Sequence, residues 1–225
     1  RKYWVTCTNP PYAGISNLSA KVNNFVKKYY PDSKADLFAV FIEHCRTMTA
    51  DNGYQAMITQ HSWMFLSSFE KLREKMMLTE TVNMAHLGAR AFEEIGGEVV
   101  QTTAFVRCAN HVDGYKGTYC RLIEPTSQQG KEDMFLAGEN RFTAAQDNFS
   151  KIPGSPIAYW LSNSIFDLFA LSTHNIREYS FGEGKNVTTN NAKYILFSWE
   201  VDVHKIGAFE YKWLPCAMGG EYRRW

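Results

Sequence analysis

Apolar residues recur along the first half of the chain in two alternating periods. Tyr3, Trp4, Val5 and Cys7 form a short β-rich run that Pro10 and Pro11 close. A proline has no N–H to give to a ladder, so this pattern predicts a buried parallel strand whose end meets a loop. From Leu18 to Tyr30 the spacing turns helical, with Val22, Phe25, Val26 and Tyr29 on one face and Pro31-Asp32-Ser33 as the break. Leu37, Val40, Phe41 and Cys45 repeat the pattern over residues 36–48, and Asp51-Asn52-Gly53 reads as a turn or helix cap. Tyr54 to Thr59 reads as a strand, and Ser67-Ser68-Phe69-Glu70 opens a helix that ends near Met77. Thr81 to Leu87 and Thr102 to Arg107 predict two more strands, with residues 88–101 as the loop between them. The alternation of strand and helix argues for an α/β sheet with parallel strands, whose working loops lie at the strands' carboxyl ends.

Beyond Asn110 the rhythm changes. Residues 115–123 read as a strand, the polar stretch 126–139 as a loop, and residues 155–171 as an amphipathic helix with Ile157, Trp160, Leu161, Ile165 and Leu168 on its apolar face. Residues 194–203 read as a further strand. A soft boundary is therefore expected between 110 and 150, with residues 1–110 as one region and 111–225 as a linker and α+β appendage.

Composition narrows the classes of function. A chain of 225 residues with 45% hydrophobic content can fill a core. No apolar stretch approaches the ~20 residues that span a bilayer, so the chain is read as soluble and cytoplasmic. A net charge of +1 provides no global basic field, so any nucleic-acid binding must be local. The cysteines Cys7, Cys45, Cys108, Cys120 and Cys216 are odd in number and widely spaced, which favours reduced thiols and no metal site. The start of the sequence inside a strand, without Met, suggests a fragment.

The motif that carries chemistry is Asn9-Pro10-Pro11-Tyr12, placed directly after the first strand. The exocyclic amine of adenine is a poor nucleophile because its lone pair is delocalised into the ring. An amide oxygen on Asn9 and the carbonyl of Pro10 can both accept hydrogen bonds from that NH₂, drawing the nitrogen toward a tetrahedral shape and aiming its lone pair at an incoming methyl group. Pro10 and Pro11 fix the loop before substrate arrives, and Tyr12 offers a flat face on which an extruded base can stack. The plainer reading is that the prolines end a strand and Tyr12 is a surface aromatic.

Asn9-Pro10-Pro11-Tyr12 resembles the catalytic motif of S-adenosylmethionine-dependent amino-group methyltransferases. Asp36-Leu37-Phe38-Ala39-Val40-Phe41-Ile42-Glu43 is similar to the next motif of the adenine-N6 DNA enzymes, and His86-Leu87-Gly88-Ala89-Arg90-Ala91-Phe92 to a later one. Residues 33–38, 62–75, 88–104 and 152–160 resemble the large adenine-specific methyltransferases of BREX phage-exclusion systems. The resemblance implies part of a Rossmann-like methyltransferase sheet and methyl transfer from S-adenosylmethionine to a flipped-out adenine in double-stranded DNA. It implies Phe41 against the donor's adenine and Phe92 stacking on the target base opposite Tyr12. Other phage-defence subunits are the expected partners, and residues 111–225 the start of a target-recognition region. The family's glycine-rich donor loop has no counterpart in strand context. Gly182-Glu183-Gly184-Lys185 is the only candidate, and the isolated chain is accordingly expected to show little activity.

Other readings stay open. Protein-glutamine and RNA amino-methyltransferases use a similar loop, and a DNA-binding or assembly module with a vestigial pocket belongs to another class. Phe92 can simply cover the sheet end, and Phe41 can simply be core. His44, His61, His86, His111, His174 and His204 lack nucleophile-base or metal spacing and read as structural or exposed. Tyr211-Lys212-Trp213 and Tyr222-Arg223-Arg224-Trp225 interleave aromatics with cations, as nucleic-acid contacts do. If the first strand is normally central, its free apolar edge invites self-association.

Overall fold

The computed structural model describes residues 1–92, 100–172, 178, 190–207 and 210–215. Gly182 to Lys185, Tyr222 to Trp225, His174 and Cys216 lie outside the described residues. The chain divides into two compact units, residues 1–173 and 174–225.

The first unit is built on one six-stranded mixed sheet. Its strands are β1 (Tyr3–Thr8), β2 (Thr49–Gln60), β3 (Glu80–Gly88), β4 (Thr102–Cys108), β5 (Lys116–Arg121) and β6 (Arg141–Ala145), in the spatial order β1-β2-β4-β3-β5-β6. β1 runs parallel to β2 and β3 parallel to β5, whereas β4 is antiparallel to both β2 and β3, and β6 to β5. The expected all-parallel sheet is therefore corrected at β4, which enters between β2 and β3 and runs antiparallel to both. The carboxyl ends of β1, β2, β3 and β5 nevertheless share one edge, as the βαβ pattern requires.

The helices of the first 80 residues are α1 (Ala20–Tyr29), α2 (Leu37–Met48) and α3 (Glu70–Met76). α2 and α3 cover one face of the sheet. Phe38, Ile42, Leu72, Met57, Met84 and Phe105 meet there, all at most 4% exposed. Alternation on β2 and β4 puts Ala56, Ile58, Ala104 and Val106 on the opposite face, where they are only half-buried. α1 buries Val26 alone, while Val22, Phe25 and Tyr29 are exposed. On α2 the buried stripe is Phe38, Ala39, Ile42 and Cys45 with Val40, and Leu37 and Phe41 lie at its margin.

Four further expectations change. β1 is an edge strand with Tyr3, Trp4 and Val5 exposed, not a buried one, because it pairs with β2 only; Thr6 turns inward and its hydroxyl meets that of Thr49 at 2.8 Å. Asp51-Asn52-Gly53 does not end an element but bulges within β2: the partners of Tyr3 and Val5 are Thr49 and Tyr54, and Asn52 takes φ 61°. A side chain at Gly53 would bring its Cβ within 2.8 Å of the Trp4 carbonyl. The polar stretch 126–139 holds a helix, α4 (Gln128–Ala137), capped by the Ser127 hydroxyl accepting from Gly130 N–H at 3.1 Å and by Gly138 at φ 75°. In residues 155–171 only α5 (Asn163–Leu171) is helical. Pro156 and the backbone bond from Ile157 N–H to the Met64 carbonyl (2.9 Å) keep the preceding segment out of a helix, a turn closes from Leu161 N–H to the Ala158 carbonyl at 3.1 Å, and Tyr159 stacks on Tyr119 at 4.9 Å.

The sheet does not stop near residue 110: β5 and β6 extend it on the β3 side. In the second unit the described residues hold a short helix, Asn191–Tyr194, a 3₁₀ turn, Val203–Lys205, and an isolated bridge between Ile206 and Trp213. No strand is found in residues 194–203, which correct to turn and irregular structure with Phe197 stacked on Trp199 at 4.4 Å. Among the described residues, no helix is long and apolar enough to cross a membrane.

Arg73 locks the loops at the working edge. Only 1% exposed, it donates to the carbonyls of Trp63 (2.8 Å), Leu66 (2.7 Å) and Gly154 (2.6 and 2.8 Å). Burial lowers its pKa, with Glu70 and Glu74 opposing. Arg73→Met leaves the Trp63 and Gly154 carbonyls without a donor, whereas Leu66 keeps Phe69 N–H at 3.1 Å, and is expected to cost roughly 3 kcal/mol, read as a lower midpoint in urea unfolding with an unchanged slope.

Candidate functional site

The Asn9–Tyr12 loop leaves β1 at the shared carboxyl edge. Asn9 is exposed and lines an open cavity of about 810 Å³ that extends over the sheet face opposite α2 and α3, past Ile58, Ala85 and Val106 to Arg141 of β6 and Phe135 of α4. Pro10 is buried and Pro11 exposed, so one proline anchors the turn while the other faces outward. Two φ angles near −65° are fixed covalently, and the Asn9 amide consequently sits at the cavity without a folding cost on ligand arrival.

Asp36 holds the far side of the loop. A single carboxylate oxygen accepts from Ala13 N–H at 3.0 Å and from Phe38 N–H at 3.3 Å, the second bond capping α2. Leu37 N–H donates to the Ala13 carbonyl at 3.0 Å and Ile15 N–H to that of Ala35 at 3.1 Å. Loop and helix start are thus laced together by side chain and backbone alike. Burial raises the Asp36 pKa, and the backbone donors at Phe38, Ala13 and Leu37 counter part of that rise.

This lacing sets Tyr12 edge-on to Phe38, ring centroids 6.2 Å apart at 88°. Tyr12 is half-buried, and its hydroxyl is enclosed with no hydrogen-bond partner among the described residues. Burial accordingly raises its pKa. Phe41 lies one turn farther along α2, half-buried against the core. Phe92 is half-buried in the bend after β3. Three strand spacings, roughly 14 Å, separate β3 from β1, and no ring contact joins Phe92 to Tyr12. The structure thus brings Asn9, Pro10, Pro11 and Tyr12 together with Asp36 and Phe38, and places Phe92 at the same edge but apart. Asp36 and Phe38 carried no role in the sequence reading; the signal was the Asp36 cap immediately before an apolar helical face.

The edge also gathers a polar chain that spacing did not reveal. His61 Nδ1 lies 2.7 Å from His86 Nε2, and His86 Nδ1 lies 3.1 Å from the Tyr159 hydroxyl. His61 follows β2, His86 lies two residues before the end of β3, and Tyr159 enters from residues 155–160, so their sequence separations, 25 and 73, hide the contact. Burial, then His61, Arg121 and Lys131, push the His86 pKa from 6.5 to about 4, and burial lowers that of His61.

The model of the Eco57I restriction-modification methylase family matches residues 1–89. Among curated proteins, the chain is 44% identical over 238 residues to the adenine-specific methyltransferase PglX of Lacticaseibacillus casei (strain Zhang), covering 100% of this chain and 20% of that protein. It is 40% identical over 235 residues to the adenine-specific methyltransferase BrxX of Escherichia coli O9:H4 (strain HS), covering 100% and 19%. The chain therefore spans about a fifth of the length of the curated relatives it matches. A solved structure describing complex assembly and conformational transition of a type I restriction-modification system superposes with a TM-score of 0.50 at 14% identity, over 76% of this chain and 42% of the other, a likeness of fold.

Two outcomes follow from this geometry. Asp36→Ala removes two acceptor contacts and is expected to cost about 1–2 kcal/mol, with hydrogen exchange at Ala13 N–H accelerated at least several-fold, while Asp36→Asn retains most of the protection. His86 binds its proton less readily folded than unfolded, so stability rises with pH between about 4 and 6.5 and levels off above. Acidification across that window should remove up to about 3 kcal/mol, and His86→Gln should flatten the slope in denaturation series at about pH 5 and 7.

Proposed function

From this whole-length similarity to one fifth of the adenine-specific methyltransferases PglX and BrxX, we propose that the chain is the acceptor-side segment of an adenine-N6 DNA methyltransferase acting in phage defence or restriction-modification. The observation that carries the reading is the Asn9-Pro10-Pro11-Tyr12 loop set directly after β1, with Asn9 on the large cavity and the loop's far side tied to α2.

In this reading the target adenine leaves the duplex and enters at Asn9. The Asn9 side-chain oxygen and the Pro10 carbonyl accept from its NH₂, withdraw the amine from ring conjugation and orient its lone pair. Tyr12 stacks on the base, and Phe92, at the same sheet edge, is the residue that would meet its other face. No general base acts at the start, because the amine becomes acidic only after methylation. Aromatic faces and amide or carbonyl acceptors are the partners that an adenine and its amine require. S-adenosylmethionine, when bound, supplies the electrophilic methyl group; Phe41 is the residue here that would border it.

The DNA substrate places the enzyme in the cytoplasm, with duplex DNA and other defence-system subunits as partners, and residues 111–225 contribute to the start of target recognition. The exposed edge of β1, with Trp4 71% exposed, would take a further strand from another segment of a longer protein or from a second copy.

The test is a chimera in which this chain replaces the matching fifth of the Lacticaseibacillus casei PglX, incubated with duplex DNA and S-adenosylmethionine. N6-methyladenine is the expected product, and Asn9→Ala should lower its rate by about 10²-fold or more. Unchanged activity in Asn9→Ala, or methyl groups found only on protein glutamine or RNA, would overturn the reading.

A further inference from the structure

The His61–His86–Tyr159 chain has a direction. Tyr159 is 2% exposed, and the acceptor that its hydroxyl reaches among the described residues is His86 Nδ1 at 3.1 Å. Were His86 to donate from Nδ1 instead, the Tyr159 hydrogen would be left buried without an acceptor, at a cost of about 1–3 kcal/mol. The hydroxyl therefore donates to His86 Nδ1. His86, a neutral imidazole, then carries its hydrogen on Nε2 and donates it to His61 Nδ1 at 2.7 Å. His61 in turn must hold its own hydrogen on Nε2. That atom has no partner among the described residues, and the residue is only half-buried.

The surroundings define what this N–H can meet. The Phe65 ring lies 5.6 Å from that of His61 and 5.8 Å from that of Trp160, and the Arg121 guanidinium sits 5.8 Å over Trp160. Arg121 is half-exposed with Glu124 3.4 Å away, an ion pair open to solvent and readily exchanged. One neutral donor of fixed polarity and one cation, both at the edge that carries the Asn9–Tyr12 loop, suit an anionic acceptor oxygen.

We propose that Tyr159, His86 and His61 form a one-way donor relay that presents the His61 Nε2–H to a backbone phosphate oxygen of the DNA beside the extruded nucleotide. The ligand half of this inference rests on the DNA-methyltransferase reading; the relay itself does not. His61 is a binding residue here, while His86 and Tyr159 are positioning residues that act through it. Because the relay is neutral, it holds the phosphate without burying a positive charge.

The experiment is ¹⁵N NMR of the chain with labelled histidine, which distinguishes the two ring nitrogens, followed by titration with a short adenine-containing DNA duplex and, separately, inorganic phosphate. Both His61 and His86 are expected as Nε2–H tautomers, Tyr159→Phe is expected to mix them, and duplex is expected to shift the His61 Nε2 signal. His61→Leu should weaken duplex binding by about tenfold, the worth of one hydrogen bond to a charged acceptor, whereas His61→Gln should recover most of it because its amide can accept from His86 and donate outward. An Nδ1–H tautomer at His61 would overturn the relay and leave the methyltransferase reading intact. Duplex bound with the His61 signal unmoved, or a shift reproduced by inorganic phosphate at equal concentration, would overturn the DNA assignment alone. No binding by the chain at any concentration would overturn that assignment too, while N6-methyladenine from the chimera would still decide the function.

Discussion

The candidate site depends on one carboxylate that does two jobs. Asp36 caps α2 and holds Ala13, so the position of the Asn9–Tyr12 loop is set by the start of a helix whose other side is cemented into the core through Phe38, Ala39 and Ile42. The loop's near side is covalently stiff through Pro10 and Pro11, and its far side is stiff by hydrogen bonding. A loop fixed at both ends need not be ordered by its ligand, and that ordering would otherwise cost about 1–2 kcal/mol for each backbone residue. Burial works against the Asp36 charge, and the loop's own N–H groups answer it. Position and electrostatics thus depend on the same contacts.

The sheet supplies the second constraint. Four strands end at one edge, and each sends a different chemistry there: Asn9 after β1, His61 after β2, His86 near the end of β3 and Arg121 at the end of β5. The antiparallel β4 between β2 and β3 widens the gap between the loop of Asn9 and that of Phe92 without reversing either. α2 and α3 cover one face, and on the other the cavity stays open from Asn9 across to Phe135 of α4.

Local periodicity and punctuation made much of this legible. β1, α1, α2, the helix before Met77, β3 and β4 all stand close to where the apolar spacing predicts them, because each carries its own period and its own breaker. What failed was information that no local window contains. α4 has a polar surface, so its apolar period is weak, and only Ser127 and Gly138 mark it. The apolar residues Ile157 and Trp160 fit a helical face, yet Pro156 and the core's demand for Tyr159 keep that segment in irregular structure and a turn. The exposure of Tyr3, Trp4 and Val5 follows from the position of β1 at the sheet's end, which a strand's own sequence does not encode. The motif singled out Asn9 and Tyr12, and the structure sets both on one loop after β1. The His61–His86–Tyr159 contact joins three segments and could only emerge with the fold.

A net charge of +1 constrains how such a site can recognise a polyanion. Long-range attraction from this chain is weak, and salt screens what remains beyond about 10 Å. Recognition then has to come from short contacts whose geometry is settled in advance. In the proposed reading, the acceptors at Asn9 and Pro10, the aromatic faces of Tyr12 and Phe92, and a histidine whose tautomer follows from a buried phenol are all of that kind. Each is neutral, so each can be buried at a contact without the desolvation penalty that a lysine would bring. Binding built this way depends little on ionic strength for its specificity, and leaves the bulk attraction to whatever basic surface accompanies it.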